Sequence, residues 1–278
     1  MLVRLFLYPM PNLEAWRLLQ TPPLPGALNM AIDHTLLETY PLHPQPTLRF
    51  YRWKPASVSL GVAQRLARDV DQAACAELGI DVVRRPTGGR AILHDQEVTY
   101  ALVIAVNHPL IGGSSVVEAY RAISTALCAG LAALGIAAEL APRAKRQQAQ
   151  SAACFDRLSD YEITVGGRKL VGSAQARRHG VLLQHGTLLQ HADLQRLSRV
   201  LRLPPALSEA NLAQRLVALD ETLAEPPSFE AVVAALIGGL EQTWPVQLTP
   251  GALTHHEQQR AAELVRDVYA NPAWTARR

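Results

Sequence analysis

The sequence predicts an α+β (mixed α/β) fold, in which a mixed sheet is packed by helices. Three observations support this class. Apolar runs typical of strands recur within residues 47–106, and a long amphipathic helical pattern follows at 115–134. Strand patterns with tight turns occupy 161–189, and the remainder is mostly helical. Strands, a long helix, more strands and then more helices are typical of this class.

Composition places the chain among ordinary globular proteins, with 49% hydrophobic residues, 18% charged residues and a net charge of +3. At 278 residues it is long enough for one large core. The mild positive charge fits an acidic protein partner or a phosphorylated ligand. The sequence has neither a long basic tract nor paired Cys/His zinc spacing, so we expect no nucleic-acid partner and no metal.

The first residues predict neither a signal peptide nor a membrane span, because Pro9 and Pro11 interrupt a short apolar run that lacks a small-residue cleavage site. Three widely spaced cysteines indicate no disulfide framework. We therefore expect a cytoplasmic protein with reduced thiols and no membrane partner.

In the first half of the chain, apolar residues at helical spacing predict a helix over 26–40, with prolines on both sides. A second helix is predicted over 69–78 and ends at Gly79. Strands are predicted at 47–53, 56–60, 81–85 and 97–106.

The second half begins with the helix at 115–134, where Ser115 and Glu118 form a capping-box pattern and Gly135 follows the last turn. Turns at Gly166-Gly167 and at His179-Gly180 predict a meander of three strands. The remaining elements are predicted as helices at 193–202, 208–224 and 228–243, a strand at 246–248, and a last helix from a Thr254/Glu257 capping box.

The segment 82–106 is the best candidate for a functional site. Two apolar runs flank a loop in which Gly88 and Gly89, without a Cβ, allow the backbone to approach a ligand. His94 and Asp95 follow on the next short run. The loop also carries three arginines, namely Arg84, Arg85 and Arg90. The alternative is a basic hairpin turn on the surface; the phosphate-loop pattern GxxxxGK[ST] is absent.

The three cysteines have different surroundings. Cys75 and Cys128 lie in helical patterns among alanines and leucines, which predicts small buried apolar roles. Cys154 lies in a polar connection, and alone it would be an incidental thiol. Lys169 follows just after the Gly166-Gly167 turn, where its ammonium could converge on Cys154 and favour the thiolate of a thiol whose pKa is otherwise about 8.5.

Two long motifs, RRPTGGRAILHDQEVTYALVI and CFDRLSDYEITVGGRKLVGSAQARRHGVLLQHGTLL, and the closing NPAWTARR resemble the biotin/lipoate ligase and acyltransferase family. The chain is most similar to the cysteine-dependent octanoyltransferases of Gram-positive-type lipoate synthesis. The similarity covers nearly the whole chain and implies one catalytic domain over 1–278. Its ligase-like core spans about 43–248, and a helical extension spans 249–278.

The resemblance implies roles for single residues. Cys154 would take the acyl group, and Lys169 would lower the pKa of its thiol. The residues Arg84, Arg85, Pro86, Thr87, Gly88, Gly89, Arg90 and His94 would line the acyl pocket. The residues Gly172, Ser173, Ala174, Gln175, His185 and Gly186 would line the same cleft.

The implied reaction needs no cofactor. The donor would be octanoyl-acyl carrier protein. The acceptor would be a lysine of a lipoyl domain, such as the glycine-cleavage H protein or a 2-oxoacid dehydrogenase E2. The thiolate would first exchange one thioester for another, and the acceptor amine would then form an amide.

Three alternatives stay open. An ATP-dependent lipoate–protein ligase would use the same loop. However, such a loop usually has a third glycine where Arg90 stands, and many such ligases carry an accessory domain for which the thirty or so residues after Leu248 are too few. An amidotransferase between lipoyl domains would use the same Cys-Lys pair. A non-catalytic acyl-domain binding protein would have little reason to keep Cys154 and Lys169.

Overall fold

The computed structural model of the protein describes residues 13–113, 115–141, 162–204 and 207–277. The strands are β1 (Glu14–Gln20), β2 (Thr47–Tyr51), β3 (Ser57–Leu60), β4 (Asp81–Arg84), β5 (Ile92–His94), β6 (Glu97–Ala105), β7 (Glu139–Leu140), β8 (Ile163–Val165), β9 (Arg168–Arg178), β10 (Val181–Leu189) and β11 (Val246–Pro250). The α-helices are α1 (Gly26–Thr39), α2 (Leu66–Asp69), α3 (Gln72–Glu77), α4 (Val116–Ala133), α5 (Leu194–Val200), α6 (Glu209–Ala213), α7 (Leu219–Thr222), α8 (Phe229–Thr243), α9 (His255–Leu264) and α10 (Pro272–Thr275).

Eight strands form one mixed sheet in the order β11-β1-β2-β6-β10-β9-β8-β7. Strand β1 is parallel to both of its neighbours, β11 and β2, and the pairs from β2 onward are antiparallel. The predicted meander is confirmed as β8, β9 and β10. Its turns have positive φ at Gly166 and Gly167 and at His179 and Gly180. The predicted mixed fold class is also confirmed.

A second, small sheet has the order β4-β3-β5. Strand β3 lies in the middle, parallel to β4 and antiparallel to β5. The connection from Arg85 to Ala91 therefore joins the two outer strands across β3, and β4 and β5 do not pair with each other. As a result, the connection passes the end of β3. There the connection lies next to the large sheet.

Helices cover both faces of the large sheet. On one face α4 and α8 pack over an apolar layer that includes Leu127 and Leu236. On the other face α1 and α9 pack over a layer that includes Leu36 and Leu264. A third apolar cluster lies between the small sheet and α3, α5 and α6.

Helix α4 is long and apolar enough to cross a membrane, and it is the one helix of the described ranges with that property. In this fold it is a core helix, since its buried face packs against α8 and the sheet. Ser115 caps it, because the Ser115 hydroxyl accepts from Glu118 N at 3.3 Å. Gly135, with φ +80°, follows its last turn, as predicted.

Two predicted helices are interrupted. The predicted helix 69–78 is helical only over α3, because α2 ends at Asp69 and the Asp71 carboxylate accepts from Ala74 N at the start of α3. The predicted helix 208–224 consists of α6 and α7. Between them the backbone is extended and pairs with β9, with Lys169 N donating to Arg215 O and Val217 N to Lys169 O. This tertiary pairing outweighs the local helical pattern.

Helix α9, near the C-terminal end of the described residues, is joined to β1. The predicted capping box at the start of α9 is confirmed, with Glu257 N donating to Thr254 Oγ1 at 3.2 Å and Thr254 N donating to Glu257 Oε2 at 2.7 Å. The Glu257 carboxylate also binds both terminal nitrogens of Arg17 on β1. Helix α9 is thereby fixed to the edge region of the large sheet.

Candidate functional site

The loop between β4 and β5 is folded around the guanidinium of Arg85. Its Nη2 donates to Gly88 O and to Arg90 O, each at 2.7 Å, and its Nη1 donates to Ser59 O at 2.8 Å. Arg85 is buried, with 2% of its surface exposed. An exposed basic hairpin turn is therefore the wrong interpretation of this segment. The carbonyl of Arg90 belongs to the loop's internal bonding, and its side chain does not line the cavity described below.

Arg84 was predicted to line the acyl pocket, but it does not line the cavity described below. Its Nη1 donates to Gly61 O at 3.0 Å and to Gln64 O at 2.7 Å. Its Nη2 donates to Thr275 O at 2.6 Å, and its Nε donates to Trp274 O at 3.2 Å. Backbone carbonyls, some of them fully buried, thus surround this guanidinium. Arg84 joins the end of β4 to the C-terminal turn.

The loop glycines act through the backbone, outside the cavity lining. Gly89 has a φ of +85°, which favours glycine. The loop also packs directly on the end of β3, since a Cβ on Gly61 would lie 2.0 Å from Gly89 O. The space over Gly88 is open, because a Cβ there would meet nothing within 4 Å. The backbone of Gly88, which carries no side chain, therefore faces this open space.

A small cavity of about 20 Å³ lies between the large and the small sheet. Six of the predicted site residues line it: Arg85, His94, Gly172, Ala174, His185 and Gly186. The other lining residues are Met30, Tyr51, Trp53, Ser59, Ile92, Thr99 and Thr187. Strands from both sheets and α1 therefore converge on one enclosed site.

Ser173 and Gln175 lie on the other side of β9, contrary to the prediction. Successive residues of a strand face opposite sides, so Gly172 and Ala174 line the cavity while their neighbours do not. The Ser173 hydroxyl bonds Tyr100 OH at 2.8 Å, and Gln175 Nε2 donates to the side-chain oxygen of Gln184 at 2.6 Å. These two side chains belong to a polar layer under the cavity wall.

The glycine at position 186 is required by that layer. A Cβ on Gly186 would lie 2.5 Å from Ser173 Oγ and 2.9 Å from Gly172 O. Gly186 therefore allows β9 and β10 to pair closely at the point where the cavity wall and the polar layer meet.

The first ionisable group in the cavity wall is the His185 cluster, formed by Asp33, His185 and Thr87. His185 Nδ1 bonds Asp33 Oδ2 at 3.0 Å, and its Nε2 bonds Thr87 Oγ1 at 2.7 Å. All three residues are buried. Burial lowers the pKa of His185 below its ordinary value, despite the opposing effect of the Asp33 charge. The ring is therefore neutral at neutral pH.

Asp33 is ionised within this cluster. Burial acts to raise the pKa of Asp33, but the Arg49 charge and the hydrogen bonds from His185 and Tyr51 outweigh it and hold the pKa below its ordinary value. Arg49 Nη1 and Tyr51 OH each donate to the carboxylate at 2.7 Å. A buried carboxylate with these three donors stays charged.

The second group is the His94 cluster, formed by Ser59, His94 and Glu97. His94 Nδ1 bonds Glu97 Oε1 at 2.5 Å, and its Nε2 bonds Ser59 Oγ at 2.8 Å. The indole of Trp53 stacks on the His94 ring, with ring centres 3.9 Å apart. The neighbouring Asp95 instead binds Arg196, so the carboxylate partner of His94 lies three residues along the chain.

Arg85 connects the two clusters. Its Nε donates to Thr87 Oγ1 and its Nη1 donates to Ser59 Oγ, each at 3.1 Å. Each cluster thus consists of a carboxylate, an imidazole and a hydroxyl, and both hydroxyls accept from one guanidinium. The wall of the cavity therefore holds two imidazoles whose ring nitrogens are positioned by fixed partners.

Lys169 is buried on β9, and its Nζ bonds Glu162 Oε1 at 2.5 Å. Cys154, its predicted partner, lies outside the described residues, so the predicted convergence of the two side chains stays a prediction. The other cysteines have the surroundings predicted for them, since Cys75 is buried and Cys128 is half-buried. Burial raises the pKa of both thiols to about 11, which makes them inert at neutral pH.

A shift in strand register determines the side of β9 on which Lys169 lies. Ile163 pairs with Val171, whereas Thr164 pairs with Lys169, so β9 has one extra residue at Leu170. An extra residue reverses the alternation of sides along a strand. Ile163, Leu170 and Val171 all belong to the apolar layer under α4 and α8. Lys169 therefore lies on the opposite side of β9, which is the cavity side.

Asp33, Ser59, Glu97 and Glu162 were not predicted as site residues. A signal was present for Asp33, which is a charged residue within an apolar run. Such a residue is seldom buried without a partner, but the sequence does not show which residue that partner is. Ser59, Glu97 and Glu162 have no comparable signal in the sequence alone.

The fold agrees with the comparison to known families. The chain belongs to the lipoyl protein ligase A/B catalytic domain family, whose model matches residues 25–241. The resemblance noted in the sequence is therefore confirmed.

Full-length relatives carry a more particular description. The octanoyltransferase LipM of Moorella thermoacetica is 43% identical over 95% of this chain and 99% of its own length. The octanoyltransferase LipM of Brevibacillus brevis is 38% identical over 96% of this chain and 100% of its own length.

Solved structures share the fold. A lipoate-protein ligase A bound with ATP has a TM-score of 0.80 and 26% identity, over 94% of this chain and 98% of its own. A bi-partite lipoate protein ligase from Thermoplasma acidophilum has a TM-score of 0.78 and 25% identity, over 95% of this chain and 96% of its own.

Proposed function

We propose that the protein transfers an octanoyl group from octanoyl-acyl carrier protein to the acceptor lysine of a lipoyl domain, in lipoate biosynthesis. The observation that carries the proposal is its similarity, over at least 95% of the chain, to octanoyltransferases LipM. The cavity between the two sheets supports it, because its lining combines apolar side chains with a few fixed polar groups, as in sites for small, largely apolar ligands.

In this proposal Cys154 is the nucleophile. Its thiolate attacks the carbonyl carbon of the donor thioester, the phosphopantetheine thiol leaves, and the octanoyl group is held as an enzyme thioester. The acceptor amine then attacks the same carbon, an amide forms, and the Cys154 thiolate is released. Thioester exchange and amide formation require neither ATP nor another cofactor.

Lys169 supplies positive charge in this proposal. A buried ammonium would lose its proton without a counter-charge, and Glu162 Oε1 lies 2.5 Å from its Nζ. A charged Lys169 on the cavity side of β9 would favour the thiolate form of a cysteine close to it. The ion pair with Glu162 thus supports the predicted role of Lys169 and gives Glu162 a part in it.

The octanoyl chain would bind at the cavity, which has to widen to admit it, because its volume of about 20 Å³ suits little more than one water molecule. Gly172 and Ala174 place no large side chain in its wall on β9, and Met30, Trp53 and Ile92 provide apolar walls. The acceptor would be a lipoyl domain such as the glycine-cleavage H protein or a 2-oxoacid dehydrogenase E2. We propose that the reaction takes place in the cytoplasm.

Intact mass spectrometry tests this function. The purified protein is incubated with octanoyl-acyl carrier protein without ATP, beside a Cys154→Ser control. We expect one hydroxylamine-labile octanoyl group on the wild type only, which is then lost to an added lipoyl domain. Cys75→Ser is the matched control, since burial raises the pKa of that thiol to about 11 and it should leave the adduct unchanged.

Other outcomes would identify the alternatives. If no adduct forms but the acceptor is modified once ATP and free octanoate are added, the protein is a ligase. If only an octanoyl-lipoyl domain serves as donor, it is an amidotransferase. If the protein binds these partners without either reaction, it is a binding protein.

A further inference from the structure

We propose that Met30 of α1 determines the length of the acyl chain that the cavity accepts, because its side chain is the part of the wall that moves when the chain enters. The inference rests on the proposed function, in which the octanoyl chain binds at this cavity. It concerns the binding of the chain alone and requires no assumption about the position of Cys154.

The polar and aromatic part of the cavity wall is held by hydrogen bonds. Trp53 Nε1 donates to Thr99 Oγ1 at 2.9 Å, and the indole ring also stacks on His94. Tyr51 OH donates to Asp33 at 2.7 Å. The remaining polar side chains of the wall belong or bond to the two imidazole clusters and the guanidinium that connects them. Displacement of any of these groups would leave buried polar atoms without partners, which is costly.

The wall formed by β9 and β10 has little that can move. Its apolar positions carry at most a methyl group, namely Gly172, Ala174 and Gly186. Both strands lie inside the large sheet, each paired on two sides. This wall therefore cannot open by rotation of a side chain.

Two larger aliphatic side chains complete the wall, and they differ in stiffness. Ile92 is branched at Cβ, which restricts its first torsion, and it packs in a separate apolar cluster with Leu189 and Leu216. Met30 is unbranched and rotates about three bonds, although only 1% of its surface is exposed. Among the described residues of the wall, Met30 is therefore the side chain that can move without loss of a hydrogen bond.

The backbone of α1 is fixed on both sides of Met30. Asn29 Nδ2 donates to Leu24 O at 3.1 Å and to Arg52 O at 3.0 Å. One turn further along, the buried Asp33 carboxylate accepts from Arg49 on β2 at 2.7 Å. These bonds hold the helix in place. The cavity therefore widens by movement of the Met30 side chain rather than by a shift of α1.

This movement limits the length of the chain. Met30 belongs to the apolar layer between α1, α9 and the large sheet, where side chains are closely packed. Each further methylene of the ligand would push Met30 deeper into that layer, and overpacking of a core is unfavourable. A shorter residue at position 30 would remove this limit.

Competition between two donors tests the inference. The full-length protein is incubated with equal amounts of octanoyl- and decanoyl-acyl carrier protein, and intact mass spectrometry gives the ratio of the two adducts. We expect the wild type to favour octanoyl, and Met30→Ala to shift the ratio towards decanoyl by about 10-fold or more, as for methylenes in an apolar pocket. Because both adducts form on the same molecules, the ratio does not depend on how much of the variant is folded.

Two further variants distinguish size from stability. Met30→Leu keeps the volume nearly constant and should retain the octanoyl preference. The matched control is Ile32→Ala, because Ile32 is buried in the same apolar layer of α1 but does not line the cavity. It should lose packing as Met30→Ala does, without a change in the ratio.

The possible results are distinct. An unchanged ratio in Met30→Ala, or an equal shift in Ile32→Ala, would overturn the inference. A shift in Ile92→Ala but not in Met30→Ala would assign the limit to the other aliphatic side chain and would also overturn it. A wild type that forms no adduct with either donor would contradict the proposed function. Calorimetric binding of free octanoate and decanoate to wild type and Met30→Ala would then decide the role of Met30 separately.

Discussion

Arg85 shows how one side chain determines the shape of the loop. Its guanidinium donates to the carbonyls of Ser59, Gly88 and Arg90 and to the Thr87 hydroxyl. These acceptors lie in different directions around one plane, and only a planar group with donors on several edges meets them together. The residue was predicted to line the acyl pocket; in the structure it lines the cavity and also holds the loop together.

We predict that Arg85→Lys reduces the free energy of unfolding by about 2–4 kcal/mol, because a lysine replaces several charge-assisted hydrogen bonds with one or two. Acyl adduct formation should fall with it, since the loop loses its internal support. Chemical denaturation and the mass assay measure the two effects. Arg266→Lys, on an exposed arginine paired with Asp267, is the control and should change neither. A wild-type denaturation midpoint for Arg85→Lys would contradict this account.

Six of the residues predicted from the family resemblance line one cavity, because the two long motifs lie on strands that face each other across it. Their binding of an acyl group stays a prediction. The partners of those residues could not be predicted. Asp33 and His185 are 152 positions apart, and a single sequence shows only local periodicity. The prediction for Arg84 failed for the same reason, because its carbonyl partners at the C-terminal turn lie about 190 residues away.

At the scale of elements, the contact of α4 with α8 depends on glycines rather than on large apolar side chains. A Cβ on Gly239 would lie 2.2 Å from Gly130 N, whereas a Cβ on the adjacent Gly238 would meet nothing within 4 Å. Gly239 is therefore required by the close approach of the two helices, whereas the space around Gly238 would accept a side chain.

We predict opposite effects for two alanine substitutions in α8. Gly239→Ala should destabilise the protein by about 1–3 kcal/mol, because the methyl group forces two backbones apart. Gly238→Ala should stabilise it by about 0.5–1 kcal/mol, because alanine is the better helix former and the site is open. Each variant is the control for the other in thermal and chemical unfolding. Equal effects of the same sign would show that the helices do not pack through this pair.

Element boundaries were predictable where a local signal determines them. The caps of α4 and α9 and the turns of the meander follow from Ser, Thr and Gly positions in the sequence. The interruption between α6 and α7 was not predictable. Its cause is a backbone pairing of Leu216 with Lys169, almost fifty residues away. Local propensity gives no information about such a pairing.

At the scale of the whole molecule, the Arg17–Glu257 ion pair joins β1 to α9. Although burial acts to raise the pKa of Glu257, its bonds to Arg17 and Thr254 outweigh this effect and hold the pKa below its ordinary value. The charged form is therefore bound more favourably in the folded state. This contribution to stability is present above the unfolded pKa, about 4.3, and disappears as pH falls through the lower folded pKa.

We predict that Glu257→Gln lowers the free energy of unfolding by about 1–2 kcal/mol at pH 7, as for a charge-assisted hydrogen bond. The difference from the wild type should shrink as pH falls below about 4, where the wild-type carboxyl becomes protonated. Urea unfolding of both proteins between pH 7 and pH 3 measures it. A difference that does not change with pH would mean that the ion pair contributes nothing.

The bond between Arg84 and the carbonyls of Trp274 and Thr275 has a consequence for the order of folding during synthesis. Because chains emerge from the ribosome with the N-terminal part first, β4 is available long before those carbonyls exist. Strand β1 likewise cannot pair with its parallel neighbour β11 until β11 has been synthesised. Contacts of such sequence separation form slowly. The attachment of β4 to the C-terminal turn can therefore form only after residues 274 and 275 have been synthesised, late in folding.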